Sequence, residues 1–162
     1  YIAHCNMAIL HDTIIYMKIE QVAVLVARLA LFVIYFWFGL LKVIGQSPAT
    51  PMVHTMFGKT LSPMMPFISF GAFIVLFGLF EMLIGLLFII PGLEKTALVF
   101  FFLHMVTTAI PLFVMSQVWT HAFVPTLEGQ YIVKNLALVA CALSVWSTIE
   151  PKQKLEANLL TQ

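Results

Sequence analysis

Four ionisable side chains, Arg28, Glu81, His104 and Lys134, lie within long apolar runs or at their edges. A charge placed in hydrocarbon costs roughly 2.5–3.5 kcal/mol on insertion scales, so each is a site hypothesis by default. With about 1.5 Å of helical rise per residue, Arg28 stands about 9 Å, Glu81 about 15 Å and His104 about 14 Å from the same end of their runs. These depths overlap once the reach of arginine is included, so Glu81 is able to meet Arg28 or His104. One reading is structural: a buried Arg28–Glu81 pair sets helix register, while His104 gives its ring proton to a carbonyl or a threonine of another helix. The other is chemical. Glu81 and His104 are then candidate catalytic residues, exchanging protons with a bound redox molecule such as a quinone.

Lys134 raises a different question. In PTLEGQYIVKN (125–135) a polar stretch passes directly into an apolar helix. Tyr131, Lys134 and Asn135 are placed to donate hydrogen bonds to a quinone carbonyl. Lysine also snorkels cheaply this near a helix end. The expected alternative is a polar cap of Glu128, Lys42 and Lys134 tying the loop to the bundle, so that Lys134→Ala lowers stability in detergent. Arg28, Lys42, Glu81 and Glu128 together form the expected structural polar cluster.

Haem ligation by His104 needs a second histidine at matching depth, and His4, His11, His54 and His121 all fall in the tail or the loops. His54 and His121 share one face, a weak basis for a metal site, and no metal is expected. Cys5 and Cys141 are too far apart to read as a redox or zinc pair. With no haem, flavin or iron–sulfur signature, any redox role must borrow its electron carrier.

The elements that position these groups follow from composition. Of 162 residues, 62% are hydrophobic and 9% charged, and the mean hydropathy is +1.03. This is the profile of an integral membrane protein. A net charge of +1 gives no electrostatic footprint for nucleic acid.

A bilayer core of roughly 30 Å takes about 20 apolar residues of helix. Four segments qualify, 22–44, 68–91, 95–117 and 131–149, and spanning backbone must be helical to satisfy its own hydrogen bonds. The short turn IIPGLEK (89–95) makes an antiparallel hairpin of the second and third spans. The expected fold is an all-α membrane protein, a four-transmembrane-helix antiparallel bundle. The longer connections, 46–67 and 118–130, share one face, and the first carries a short amphipathic helix begun at Thr50–Pro51 and ended by Ser62–Pro63. Residues 1–21 read as an interfacial segment, 22–149 as the transmembrane domain and 150–162 as a tail.

Gly71, Gly78 and Gly85 recur every seven residues in the second span, a stripe suited to close helix approach. Pro111 is expected to kink the third span near the loop-bearing face. Lys18, Lys95, Lys152 and Lys154 flank one face, against Lys42 and Lys59 on the other, which places both termini in the cytoplasm. The chain opens on Tyr1, so its natural start is expected upstream, and its first apolar run reads as a retained span rather than a cleaved signal.

Three stretches carry a family resemblance: RLALFVIYFWFGLLK (28–42), GLFEMLIGLL (78–87) and, above all, PTLEGQYIVKN (125–135). Through them the chain resembles the DoxX family of small four-span membrane proteins over residues 22–149. The residues matching the family's pattern are Arg28, Gly39, Lys42, Glu81, Gly85, Glu128, Tyr131, Lys134 and Asn135. The resemblance implies a four-helix bundle in the bacterial cytoplasmic (inner) membrane. It also implies a link to redox chemistry, through relatives that are subunits of thiosulfate:quinone oxidoreductase, and it transfers no catalytic role to any single residue.

Two functions follow as expectations. The first is an accessory subunit that packs against lipids and other subunits of a quinone-linked complex and lines a quinone site at a shared interface. The second is a self-contained quinone-interacting oxidoreductase subunit in which Glu81 and His104 handle the proton. A transporter fits less well, since internal repeats and several broken helices are missing.

Overall fold

A computed structural model describes the backbone of residues 2–63 and 66–149; side chains are described from residue 15 onward, Tyr16 excepted. The expected tail, with Lys152 and Lys154, lies outside the described residues.

The first helix, α1, runs from Ile2 to Val43. Neither glycine nor proline occurs before Gly39, so nothing in the backbone chemistry interrupts it. The 1–21 segment, expected as an interfacial segment leading into the first span, is from Ile2 onward one continuous helix with it. After Gly45, which turns the chain in a left-handed conformation (φ 73°), α2 spans Thr50–Thr60 with Pro51 in its first turn. This is the short helix expected in the first loop. Its Phe57 is buried against Phe70 and Phe73.

The second span is α3 (Phe70–Ile89), begun by Ser69, whose hydroxyl accepts from the Ala72 N–H. Gly92, at φ 86°, reverses the chain, and α4 runs from Glu94 to Ala109. Pro111 lacks an N–H and ends the regular ladder there. A further turn, α5 (Pro111–Val114), continues the span. A short 3₁₀ turn, Ser116–Val118, then leads to a two-stranded antiparallel hairpin, β1 (Trp119–His121) and β2 (Val124–Pro125). The last span is α6, Leu127–Trp146.

Among the described residues four helices are long and apolar enough to cross a membrane: Met17–Val43, Phe70–Ile89, Glu94–Val114 and Leu127–Trp146. The protein is thus an all-α, four-span membrane protein, with one small hairpin added to the loop-bearing face. The core is built by Leu31, Ile84, Phe88, Leu98, Phe101 and Val145 from all four spans. A smaller cluster under the loops joins Met115, Val118 and Ile132 to Met52, Met56 and Trp119.

Glycine sets the spacing of α1 and α3. A Cβ on Gly39 would stand 2.6 Å from the Gly78 carbonyl oxygen, and one on Gly78 2.7 Å from that of Gly39. One on Gly85 would stand 2.9 Å from the Phe36 nitrogen. The two backbones approach as closely as helices can. Gly71 has nothing within 4 Å, so the expected stripe is corrected: Gly78 and Gly85 belong to it, Gly71 does not, and Gly39 completes it from the facing helix.

Candidate functional site

Arg28, Tyr35 and Lys42 stand at seven-residue intervals on α1, close to two turns apart and therefore on one side of the helix. Helical side chains lean toward their own N-terminus. Lys42, in the last turn of α1, therefore reaches back into the bundle rather than out to the loops, and the ammonium sits favourably near the negative end of the helix dipole. Glu81 lies midway along α3 between Gly78 and Gly85, where the glycine contacts bring α1 within its reach.

The result is a polar chain through the bundle. Lys42 Nζ donates to Glu81 Oε2 at 2.6 Å, and at 3.5 Å lies near the Phe38 carbonyl oxygen. Glu81 Oε1 lies 3.1 Å from His104 Nε2, and His104 Nδ1 lies 3.1 Å from the Tyr35 hydroxyl. All four residues are buried: exposure is 7% for Lys42, 6% for Glu81, 4% for His104 and 4% for Tyr35. Three helices supply them: α1 gives Tyr35 and Lys42, α3 gives Glu81 and α4 gives His104.

The inventory of donors and acceptors orders the protons. A carboxylate only accepts, so His104 Nε2 carries the proton that faces Glu81. In the neutral ring Nδ1 is then the acceptor, and the Tyr35 hydroxyl donates to it. Lys42 balances Glu81, which makes the chain neutral overall, as burial in a low dielectric requires. Aromatic rings wall the imidazole: Phe77 stacks on it with centroids 5.1 Å apart, and Phe80 lies at 6.2 Å. Lys42 Nζ sits 5.7 Å from the centre of the Phe77 ring. The Thr107 hydroxyl donates to the His104 carbonyl at 2.7 Å, steadying the last turns of α4.

Arg28 belongs to a second polar layer. Its Nη1 pairs with Glu94 at 2.8 Å, Nε donates to the Phe88 carbonyl at 2.7 Å and Nη2 to that of Ile89 at 3.3 Å. The guanidinium thereby satisfies carbonyls left open at the C-terminus of α3. Between the layers lies dry packing: Leu31, Ile84, Phe88, Leu98 and Phe101 are each at most 1% exposed.

The expected Arg28–Glu81 pair is therefore not formed. Arg28 leans down its helix to the α3–α4 turn, and Lys42, expected at the surface, leans down to Glu81. The expected cluster of Arg28, Lys42, Glu81 and Glu128 separates accordingly: only Lys42 and Glu81 meet. The polar cap of Glu128, Lys42 and Lys134 does not assemble either. Glu128 is exposed in the first turn of α6. Lys134 is exposed as well, 5.3 Å from the ring of Tyr131, itself 61% exposed. Asn135 is half-buried. Tyr131, Lys134 and Asn135 thus lie together on α6, apart from the buried chain.

The unusual string around them has a local cause. The Thr126 hydroxyl accepts from the Gly129 N–H as the N-cap of α6. A Cβ on Gly129 would collide with the Val118 carbonyl oxygen, so the hairpin can close onto α6 only over a glycine.

His54 packs edge-on against Phe70 at 4.5 Å, and His121 is exposed on β1. Among the described residues no group of three or more His, Cys, Asp or Glu side chains is placed to hold a metal ion. A shallow groove of about 450 Å³ runs between α1 and α6, lined by Ala27, Ala30, Cys141 and Ser144. None of the four members of the buried chain lines it.

Reading from sequence did not find Tyr35 or Glu94. Tyr35 is hidden among the many aromatic residues of the first span, but its place midway between Arg28 and Lys42 at heptad spacing is a signal for it. Glu94 sits just past the Pro-Gly turn, where a carboxylate at a helix N-terminus reads only as a dipole partner. No protein-family model, no curated protein and no solved structure matches the chain.

Proposed function

We propose that the chain is a DoxX-like accessory subunit of a larger, quinone-linked complex in a bacterial cytoplasmic membrane. One observation supports this most: away from their ends, the first three spanning helices turn their strongly polar groups inward, where those groups satisfy one another, and present apolar side chains outward. Among the described residues no buried side-chain nitrogen or oxygen lacks a partner, while Leu25, Leu29, Val33, Trp37, Leu103 and Leu136 are exposed. Such a body packs against lipid and against other apolar helices, and Tyr131, Lys134 and Asn135 offer donors to a quinone carbonyl at an interface shared with a partner. Lys18 and Lys95 flank the face bearing the termini, and the inward turn of Lys42 takes one cation from the other face, which favours cytoplasmic termini.

The test is gentle solubilisation from native membranes followed by native electrophoresis and quinone extraction. Co-migration with partner subunits, and bound quinone lost on Lys134→Ala, are expected. A stable, active monomer contradicts the accessory role.

The contact between Glu81 and His104 favours a second reading, a subunit that handles protons in the membrane during quinone chemistry. Under it, His104→Gln abolishes quinone-linked turnover of the complex while its subunits remain assembled.

A further inference from the structure

The connection between the third and fourth spans carries no acidic or strongly basic side chain. Between Lys95 and Glu128 the sequence holds no aspartate, glutamate, lysine or arginine, whereas the other long connection, 46–67, carries Lys59. A loop standing in water is well served by polar and charged side chains, and this one presents apolar ones instead. Phe123 is 94% exposed and Phe113 85%, and Val124 and Leu127 are exposed as well. A patch of this kind marks a surface that something apolar covers.

The backbone holds the patch out. β1 and β2 pair Trp119 with Pro125 and His121 with Val124, which leaves Ala122 and Phe123 as a two-residue loop. The base is fixed: Trp119 Nε1 donates to the Leu112 carbonyl at 2.9 Å, the Thr126 N–H donates to the Val118 carbonyl at 2.9 Å, and Val118 packs with Met115 and Ile132. The apex is free of such contacts. Phe123 has φ 62° and is the one non-glycine residue at positive φ among the described residues. Glycine and asparagine take this conformation readily in hairpin loops, but a bulky side chain does so at a cost. Backbone strain persists where something else outweighs it, and the chain itself leaves the Phe123 ring uncovered.

We propose that this hairpin dips into the membrane, with the Phe123 ring seated among lipids at the boundary of headgroups and acyl chains in the leaflet on the loop-bearing face. Lipid is favoured over a protein partner on several counts. The hairpin joins the ends of two spans, so its apolar apex continues the exposed apolar surface of α4 and α6, to which Leu103 and Leu136 belong. No charge between Lys95 and Glu128 has to leave water for the apex to enter lipid. Trp119, at the base, is of the residue type enriched at that depth, and its N–H is already satisfied by Leu112. Burial of the Phe123 ring among acyl chains then offsets the strain of its backbone. The placement holds with or without a quinone at Tyr131 and Lys134.

Spin labelling of the full chain in liposomes of phosphatidylcholine and phosphatidylglycerol tests the depth of the apex. The label is attached through Ala122→Cys, in a chain with Cys5→Ser and Cys141→Ser, so that Phe123 stays in place. Collisions with apolar oxygen are expected to exceed those with a water-soluble nickel chelate, and adding Phe123→Ser should shift the balance toward nickel. A label that meets nickel more than oxygen stands in water and overturns the proposal. A label shielded from both is covered by protein, a second copy of the chain, and overturns it too. An unchanged balance in Phe123→Ser overturns Phe123 as the inserted group. Should the cysteine-free chain not fold, p-benzoylphenylalanine in place of Phe123, with both cysteines kept, decides after irradiation in native membranes. An adduct with phospholipid supports the proposal. An adduct with a partner protein overturns it, as does the lack of any adduct when the same probe in place of Phe113 captures lipid.

Discussion

Tyr35 and Lys42 stand seven residues apart on one side of α1, and they are the two ends of a single hydrogen-bonded chain whose middle members, His104 and Glu81, come from α4 and α3. The gap along the helix, about 10.5 Å, is bridged by an imidazole and a carboxylate. Helix register among three spans is thereby fixed by polar geometry as well as by packing, the best-attested role for buried ions.

Arg28 closes the other end of the bundle. Its loss leaves two carbonyls of α3 and the Glu94 carboxylate without their donor. Arg28→Met should cost roughly 1.5–3 kcal/mol, the range for hydrogen bonds to a charged group. Glu94→Gln, which keeps an oxygen to accept from Arg28 and leaves both carbonyl bonds in place, should cost less, about 1 kcal/mol. Hydrogen exchange across residues 88–94 should rise more in Arg28→Met than in Glu94→Gln; equal protection in both would contradict the capping role.

The glycine contacts make a sharper contrast. Gly78→Ala and Gly39→Ala each place a methyl group against a facing carbonyl, and overpacking of this kind costs typically 1–3 kcal/mol. Gly71→Ala meets open space and removes a poor helix former, so it should be neutral or gain up to about 1 kcal/mol. Thermal melts in one detergent should order the variants in that way.

On the loop-bearing face, Lys134→Ala and Glu128→Ala should each stay within about 0.5 kcal/mol of the wild type, as exposed groups without an ion pair do. Thr126→Ala should lose about 1 kcal/mol as a lost cap. Gly129→Ala should be worse than either surface change, because it pushes α6 off the Val118 carbonyl. The ranking is read from denaturation midpoints of the four variants.

The fold was largely legible because hydrophobic length is a strong signal. The four spans, the Pro91–Gly92 turn and the Thr50–Pro51 helix start all leave direct marks in the sequence. The site was legible only in part. Glu81 and His104 could be matched by depth, since both lie near mid-span and need little reach to meet. Arg28 and Lys42 could not, because depth arithmetic places Cα atoms, whereas their side chains lean about a turn toward the start of α1. That lean moves Arg28 to Glu94 and brings Lys42 inward to Glu81. The hairpin at 119–125 is too short to show a strand pattern, and its closure onto Gly129 depends on a contact between residues distant enough to hide it.

The central claim is that Lys42, Glu81 and His104 form one coupled ionic unit, and a double-mutant cycle of Lys42→Met and Glu81→Gln tests it most directly. Glu81→Gln strands the Lys42 ammonium and should lose roughly 3–5 kcal/mol, the cost of breaking a buried pair. Lys42→Met leaves the buried Glu81 carboxylate with His104 as its remaining hydrogen-bond donor and should lose a comparable amount. The double variant, which removes both charges, should be at least about 1 kcal/mol more stable than the sum of the single losses, within the range of coupling between contacting residues. Losses that add to within about 0.5 kcal/mol, as for independent sites, would contradict the account.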